Sequence, residues 1–255
     1  MRIVVKLGTS TLTHPTGRLH IRRVEKLVKV LSDIKNAGHD LILVSSGAIG
    51  MGVGKLNLKG RPEDMATKQA AAAVGQCELM YMYDKLFRDN NHIVAQILMT
   101  GKDFDDPVNV ENFTATMNCL TDLGAIPVIN ENDVIATEEI ALGDNDSLGA
   151  IVACRTGADL LIILSDIDGL YTKDPRDDPE AEKLDVVAEI TEDIKKLAGN
   201  KGTSLSVGGM VTKIGAAETV TAQGIDMVIA NGKNPDILYD ILEGKKAGTR
   251  FLGKK

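Results

Sequence analysis

The chain has 255 residues, 44% hydrophobic and 25% charged, the proportions of an ordinary globular protein. Its 29 Lys+Arg against 36 Asp+Glu give a formal net charge of −7, which excludes broad binding to nucleic acid or anionic lipid but not small basic sites. No apolar run approaches the roughly 18 residues of a membrane span, and with 3% aromatic residues and no Trp the core is aliphatic, without stacking platforms for single strands.

Residues 3–5 form a short strand, and 21–37 an amphipathic helix whose face is Val24, Leu27, Val28, Leu31 and Ile34, with Gly38 as its C-cap. A strand over 41–44 stops at Ser45-Ser46-Gly47. Then come a long helix over 66–89, a strand over 93–99, a helix over 110–123 and a strand over 126–129. A helix over 147–155 and a strand over 160–164 lead to a polar, Pro-rich excursion over 172–183. A helix over 212–222, a strand over 227–230 and a short helix over 237–242 follow, and residues 244–255 either close with a short strand or trail as a tail.

Strands separated by helices predict an α/β fold, a mainly parallel sheet with helices on both faces, in one folded unit over 1–255. The continuous apolar runs Leu41–Val44 and Leu160–Leu164 are those of strands covered on both sides. Cys77, Cys119 and Cys154 are odd in number and widely spaced, and are expected to be reduced, mostly buried thiols of a cytoplasmic protein. The N-terminal residues are too short and too soon charged for a secretory leader.

In such sheets ligands bind beyond the carboxyl ends of the strands. Here those ends carry Lys6-Leu7-Gly8-Thr9-Ser10, Ser45-Ser46-Gly47-Ala48, Asn130-Glu131-Asn132-Asp133, Ser165-Asp166 and Asn231-Gly232, with Gly143–Asp146 and Gly208–Lys213 nearby. Gly8 lets backbone amides approach an anion, and Lys6 adds a charge, although a strand-end lysine is also an ordinary solvated terminus. Ser46-Gly47 repeats the pattern, and equally suits a plain strand–helix turn. The turn Gly208-Gly209-Met210-Val211-Thr212-Lys213 opens a helix whose free amides suit a phosphate, or it is simply a capped glycine loop. Asp144, Asn145 and Asp146 also read as a polar turn between two elements.

Neither G-x-x-x-x-G-K-[ST] nor G-x-G-x-x-G occurs, which removes the main support for a P-loop ATPase or an NAD-type Rossmann enzyme. The four His are dispersed, no metal-ligand spacing is present, and no G-x-S-x-G elbow exists. What remains is two lysines, glycine-rich amide cradles and an aspartate, without a designated strong base. Phosphoryl transfer uses such a kit, because its catalysis is positioning and charge neutralisation. A carboxylate acceptor needs no base to activate it.

These blocks, together with Asp166–Pro175 and Gln69–Gln76, resemble the amino-acid kinase family over essentially the whole chain and in the right order. Within it they are similar to the members that phosphorylate the γ-carboxylate of L-glutamate with ATP, the first step of proline biosynthesis. The resemblance implies a three-layer α/β/α sandwich, the N-terminal half binding the acceptor and the C-terminal half the nucleotide. It implies that Lys6 and Lys213 stabilise the transferring group and that Asp146 holds both lysines. Ser46, Gly47, Asp133 and Asn145 would bind glutamate, Asp133 facing its α-ammonium. Lys6, Gly8, Thr9, Ser165, Asp166 and the loop Val207, Gly208, Gly209, Met210, Val211, Thr212 and Lys213 would bind ATP. Mg²⁺ would be carried by ATP, with no protein metal site. Proline as feedback inhibitor and a homo-oligomer, dimer or tetramer, are further implications. The chain stops where many bacterial members continue into a PUA domain, and Ser165 and Val207 stand where Thr is usual; neither change removes a charge. Two alternatives remain: another kinase of this fold, acting on aspartate, acetylglutamate, UMP or a small phosphate ester, or a non-catalytic amino-acid sensor.

Overall fold

The computed structural model describes residues 1–14, 16, 18–136, 145–173, 178, 180–199 and 209–254. Eight strands form one sheet: β1 (Arg2–Leu7), β2 (Asp40–Ser45), β3 (Val94–Met99), β4 (Ile126–Glu131), β5 (Leu160–Ser165), β6 (Val186–Val187), β7 (Asp226–Asn231) and β8 (Thr249–Phe251). Their spatial order is β3-β4-β2-β1-β5-β7-β8-β6. The first six in that order run parallel, and β8 turns back antiparallel to β7 with β6 parallel to it. The residues after Gly244 therefore close the sheet rather than trail.

Alternate residues of the central strands face opposite cores, as the two-residue period of a strand requires. Ile3, Val5, Leu7, Leu41, Leu43, Ile162 and Leu164 pack on one side with α2 (Ile21–Asn36), α4 (Met65–Arg88) and α9 (Ile237–Leu242). Val4, Ile42, Val44, Leu161 and Ile163 pack on the other with α5 (Pro107–Asp122), α6 (Asn145–Thr156) and α8 (Met210–Thr221). Burial on both faces accounts for the unbroken apolar runs.

Local chemistry sets the helix starts. Asp64 accepts the Thr67 amide at 2.8 Å to open α4, and Asp106 accepts that of Val108 at 2.8 Å ahead of Pro107 in α5. Gly38 follows α2 at φ +91°, the left-handed C-terminal position that glycine fills without strain.

Four helical pieces are not picked out in the sequence: α1 (Thr9–Leu12), α3 (Ala48–Lys55), a 3-10 turn (Gly101–Phe104) and α7 (Glu192–Gly199), the last in spite of the helical spacing of Ile190, Ile194 and Leu197. The α3 segment AIGMGVGK is too glycine-rich to show a face, and packing against α4 makes it a helix. The cysteines correct a second expectation: all three are free, but Cys77 and Cys119 are exposed and Cys154 half-buried.

Candidate active site

Parallel register aligns the carboxyl ends. Leu7 stands beside Ser45 and Leu164, Met99 beside Glu131, and Ser165 beside Asn231. Every strand exit singled out in the sequence thus lies on one edge, in the order β4, β2, β1, β5, β7.

At the centre, Lys6 leaves β1 on the face covered by α6 and α8. It is buried rather than solvated, 7% exposed, because α6 covers it and supplies a counter-charge. The Lys6 Nζ lies 2.6 Å from Asp146 Oδ1, and the Lys213 Nζ 3.0 Å from Asp146 Oδ2. The Thr212 hydroxyl is 3.2 Å from the same Oδ2 and 2.8 Å from the Gly209 carbonyl. Asp146 is wholly enclosed. Burial alone would raise its carboxyl, but the charges and hydrogen bonds of Lys6 and Lys213 outweigh that and hold it below the ordinary aspartate range. Two ammoniums therefore meet on one carboxylate in a low-dielectric corner.

Asn145 and Asp146 are not a polar turn between elements; they form the first turn of α6. This places them against β2 and β1. The Asn145 Nδ2 donates to the Ser45 carbonyl at 2.5 Å, to Ser46 Oγ at 3.0 Å and to Asn130 Oδ1 at 2.9 Å. Asn130 Nδ2 in turn donates to Gln76 Oε1 of α4 at 2.9 Å. Below this turn the Ser45 hydroxyl meets that of Tyr83 at 2.9 Å, a buried phenol whose pKa burial raises against the opposing Ser45 bond. Gly47 caps α3 at φ +101°, a left-handed conformation that a side chain would strain.

Beyond Asn130, the β4 exit carries Glu131, buried, and Asp133, half-buried. Burial first, and then the Glu131 charge, push Asp133 up to about 6, with Arg61 opposing. The charges of Glu131 and Arg61 thus act on Asp133 in opposite directions in a poorly solvated corner.

On the other side of β1, Gly8 is half-buried, its amide donates to the Leu164 carbonyl at 3.2 Å, and Thr9 is exposed in α1. Gly209, half-buried, caps α8; Met210 is half-buried, Val211 exposed and Thr212 half-buried in the first turn. Ser165 and the exposed Asp166 bond to each other at 3.1 Å, and Asn231 Nδ2 reaches Asp168 Oδ1 at 2.6 Å. Val207, Gly208, Gly143 and Asp144, with Asp174 and Pro175 of the Asp166–Pro175 block, lie outside the described residues. Reading the sequence did not single out Gln76 or Asn130 as site residues, although both fall in quoted blocks; only the fold shows that α4 meets β4 there.

The model of the amino acid kinase family matches residues 1–231. A glutamate 5-kinase of Clostridium perfringens (strain 13 / Type A) is 51% identical over 258 residues, spanning 100% of this chain and 96% of that protein. A glutamate 5-kinase of Caldanaerobacter subterraneus subsp. tengcongensis is also 51% identical, over 100% of this chain and 68% of its own length. Among solved structures, carbamate kinase from Giardia lamblia bound to AMP-PNP superposes with a TM-score of 0.71 at 20% identity, covering 99% of this chain and 98% of that one. UMP kinase from Bacillus anthracis gives 0.66 at 14% identity, over 100% and 96%. These structures establish the shared fold.

Proposed function

We propose that this chain, which belongs to the amino acid kinase family, transfers the γ-phosphoryl group of ATP to the γ-carboxylate of L-glutamate. The observation that carries the reading is the buried Lys6–Asp146–Lys213 triad at the carboxyl edge of β1, flanked by an acidic corner at β4. Relatives about half identical over their length, named glutamate 5-kinases, support the same substrate.

In this reading a γ-carboxylate oxygen of glutamate forms the bond to phosphorus as the bond from phosphorus to the ADP oxygen breaks. The products are γ-glutamyl phosphate and ADP, and no proton has to be removed first. Charge on the equatorial oxygens faces the two ammoniums, which Asp146 holds at fixed distances so that little reorganisation is needed. The Gly8 amide, expected to serve the phosphate, is taken by the Leu164 carbonyl, so the amides of Thr9 and Gly47 complete the cradle, and Ser165, Asp166 and residues 207–213 hold the nucleotide. Ser46, Asp133 and Asn145 hold glutamate, Asp133 and Glu131 attracting its ammonium. This divides the chain into an N-terminal acceptor half and a C-terminal nucleotide half.

Mg²⁺ suits this site as a passenger of ATP, because both Asp146 oxygens are engaged by lysines and the described residues form no His, Cys, Asp or Glu cage. When bound, it neutralises phosphate charge. Proline shares the α-amino and α-carboxyl groups of glutamate and is the expected inhibitor at the acceptor end. A cytoplasmic homo-oligomer completes the reading; among the described residues no helix is long and apolar enough to cross a membrane.

The test is incubation with Mg-ATP and candidate acceptors, trapping acyl phosphate with hydroxylamine. Hydroxamate with glutamate but not with aspartate or acetylglutamate is expected. ATP consumption without hydroxamate would turn the assignment toward a nucleotide or phosphate-ester acceptor, and no consumption toward a sensor.

A further inference from the structure

We infer that Gln76 is a positioning residue for acceptor binding: its amide oxygen holds the Nδ2 of Asn130 while the Glu131 amide holds the Oδ1, and Asn130 fixed in this way steadies Asn145 with an oxygen facing the amino acid. The inference rests on the glutamate reading above and names a residue of α4 that the assigned roles leave unused.

The orientation of every amide in this corner follows from two backbone groups. The Glu131 amide N–H donates to Asn130 at 2.9 Å, so the atom facing it is Oδ1 and the far atom is Nδ2. That nitrogen faces Gln76 at 2.9 Å, so the Gln76 atom there is Oε1, and Nε2 is left over. Independently, the Ser45 carbonyl can only accept, so the Asn145 atom beside it is Nδ2. Its N–H groups are turned toward Ser45, Ser46 and Asn130. Asn145 has its Oδ1 left to offer, a group that accepts from an ammonium and repels a carboxylate. Asp133 lies at the same end of the edge, so the corner selects a free α-ammonium.

Gln76 is 8% exposed, and its Nε2 is enclosed without a hydrogen-bond partner among the described residues. An orphaned buried donor is a standing cost. A methionine would fill the same volume without it. The amide oxygen explains the choice, because Asn130 is 2% exposed and its Nδ2 depends on that oxygen. Without it, the buried Nδ2 loses this acceptor and the Glu131 amide is left to hold Asn130, so Oδ1 is set less firmly against Asn145.

The experiment measures KM for glutamate and for ATP, kcat and thermal stability in the full chain. Wild-type turnover with glutamate comes first; its absence overturns the glutamate reading and this inference with it. Given turnover, Gln76→Met is expected to raise KM for glutamate about tenfold, the equivalent of ~1.4 kcal/mol, with kcat and the KM for ATP little changed. Asn130→Ala and the double variant should show the same rise as each other, since both substitutions break one relay. In Gln76→Glu, burial and the nearby acids keep the new carboxyl protonated, so it still accepts from Asn130 and holds KM near the wild-type value. This variant carries the test if Gln76→Met fails to fold. An unchanged KM in a folded Gln76→Met, additive effects in the double variant, or a tenfold rise in Gln76→Glu overturns the inference.

Discussion

A Cβ placed on Gly75 would lie 1.7 Å from the carbonyl oxygen of Ala48, so α4 and α3 meet backbone to backbone directly behind the Ser46–Gly47 turn. The contact is reciprocal along the crossing, since a Cβ on Gly52 would lie 1.8 Å from the Ala71 oxygen. Two glycines thus set how close the helix carrying Gln76 and Tyr83 comes to the Ser46–Gly47 turn.

Gly75→Ala is expected to push α3 and α4 apart, costing about 1–3 kcal/mol as overpacking does. Because Ala48 adjoins Gly47, KM for glutamate should rise in the same variant. Gly215→Ala in α8 is the control: nothing lies within 4 Å of its Cβ, and replacing a helical glycine there should stabilise by about 0.5–1 kcal/mol. Denaturant melts of the two variants, moving in opposite directions, check the prediction.

The triad predicts an asymmetry between its members. Lys6→Met or Lys213→Met leaves Asp146 paired with the remaining lysine, so the protein should fold while kcat drops by about 10²–10³, as removal of one transition-state donor does. Asp146→Asn instead removes the carboxylate that both enclosed ammoniums share. It should lose stability by about 3–5 kcal/mol as well as activity. Paired kcat and unfolding measurements on the three variants separate the two behaviours.

How much of this was legible in the sequence depends on range. The strands announced themselves because both faces are buried, and the strand exits because small polar residues interrupt apolar runs. Local pattern failed where a distant partner decides the outcome. Ala48–Lys55 shows no helical face of its own, and only the Ser46-Gly47 turn before it hints at a helix, which packing on α4 completes. Lys6 reads as a solvated strand end until α6 brings Asp146 within 2.6 Å across 140 positions. The resemblance supplied the pairing of Lys6 with Lys213, which spacing alone could not. Gln76 was invisible as a site residue because its partner Asn130 lies 54 positions away.

Asp133 gives a pH prediction. Its carboxyl is pushed up to about 6 by burial and the Glu131 charge. It is therefore neutral below that pH and ionised above it. An α-ammonium needs the ionised form, so kcat/KM for glutamate should fall as pH drops through about 6 in the free enzyme, with kcat at saturation affected less. The sign for folding is opposite: a raised carboxyl pKa means that ionisation opposes the folded state, so stability falls as pH rises from about 4 to 6. Asp133→Asn should remove both dependences and raise KM at neutral pH. A pH profile of kcat/KM that keeps its acid limb in this variant would assign the limb to another group.

The far end of the sheet makes a contrasting prediction, because the proposed acceptor and nucleotide ends lie on different strands. Phe251 of β8 is wholly buried beside Met227 of β7, and Arg250 bridges Asp226 at 3.0 Å and the Ile241 carbonyl at 3.1 Å. β7 ends at Asn231, which reaches Asp168 on the proposed nucleotide side, whereas β4 lies four places away from β7 in the sheet. Phe251→Ala should cost about 3–5 kcal/mol by leaving a cavity between β8 and α8. In the fraction that stays folded, KM for ATP should rise and KM for glutamate hold, since β1, β2 and β4 are anchored by separate pairings. Equal changes in both constants would mean that the sheet transmits the defect along its whole width.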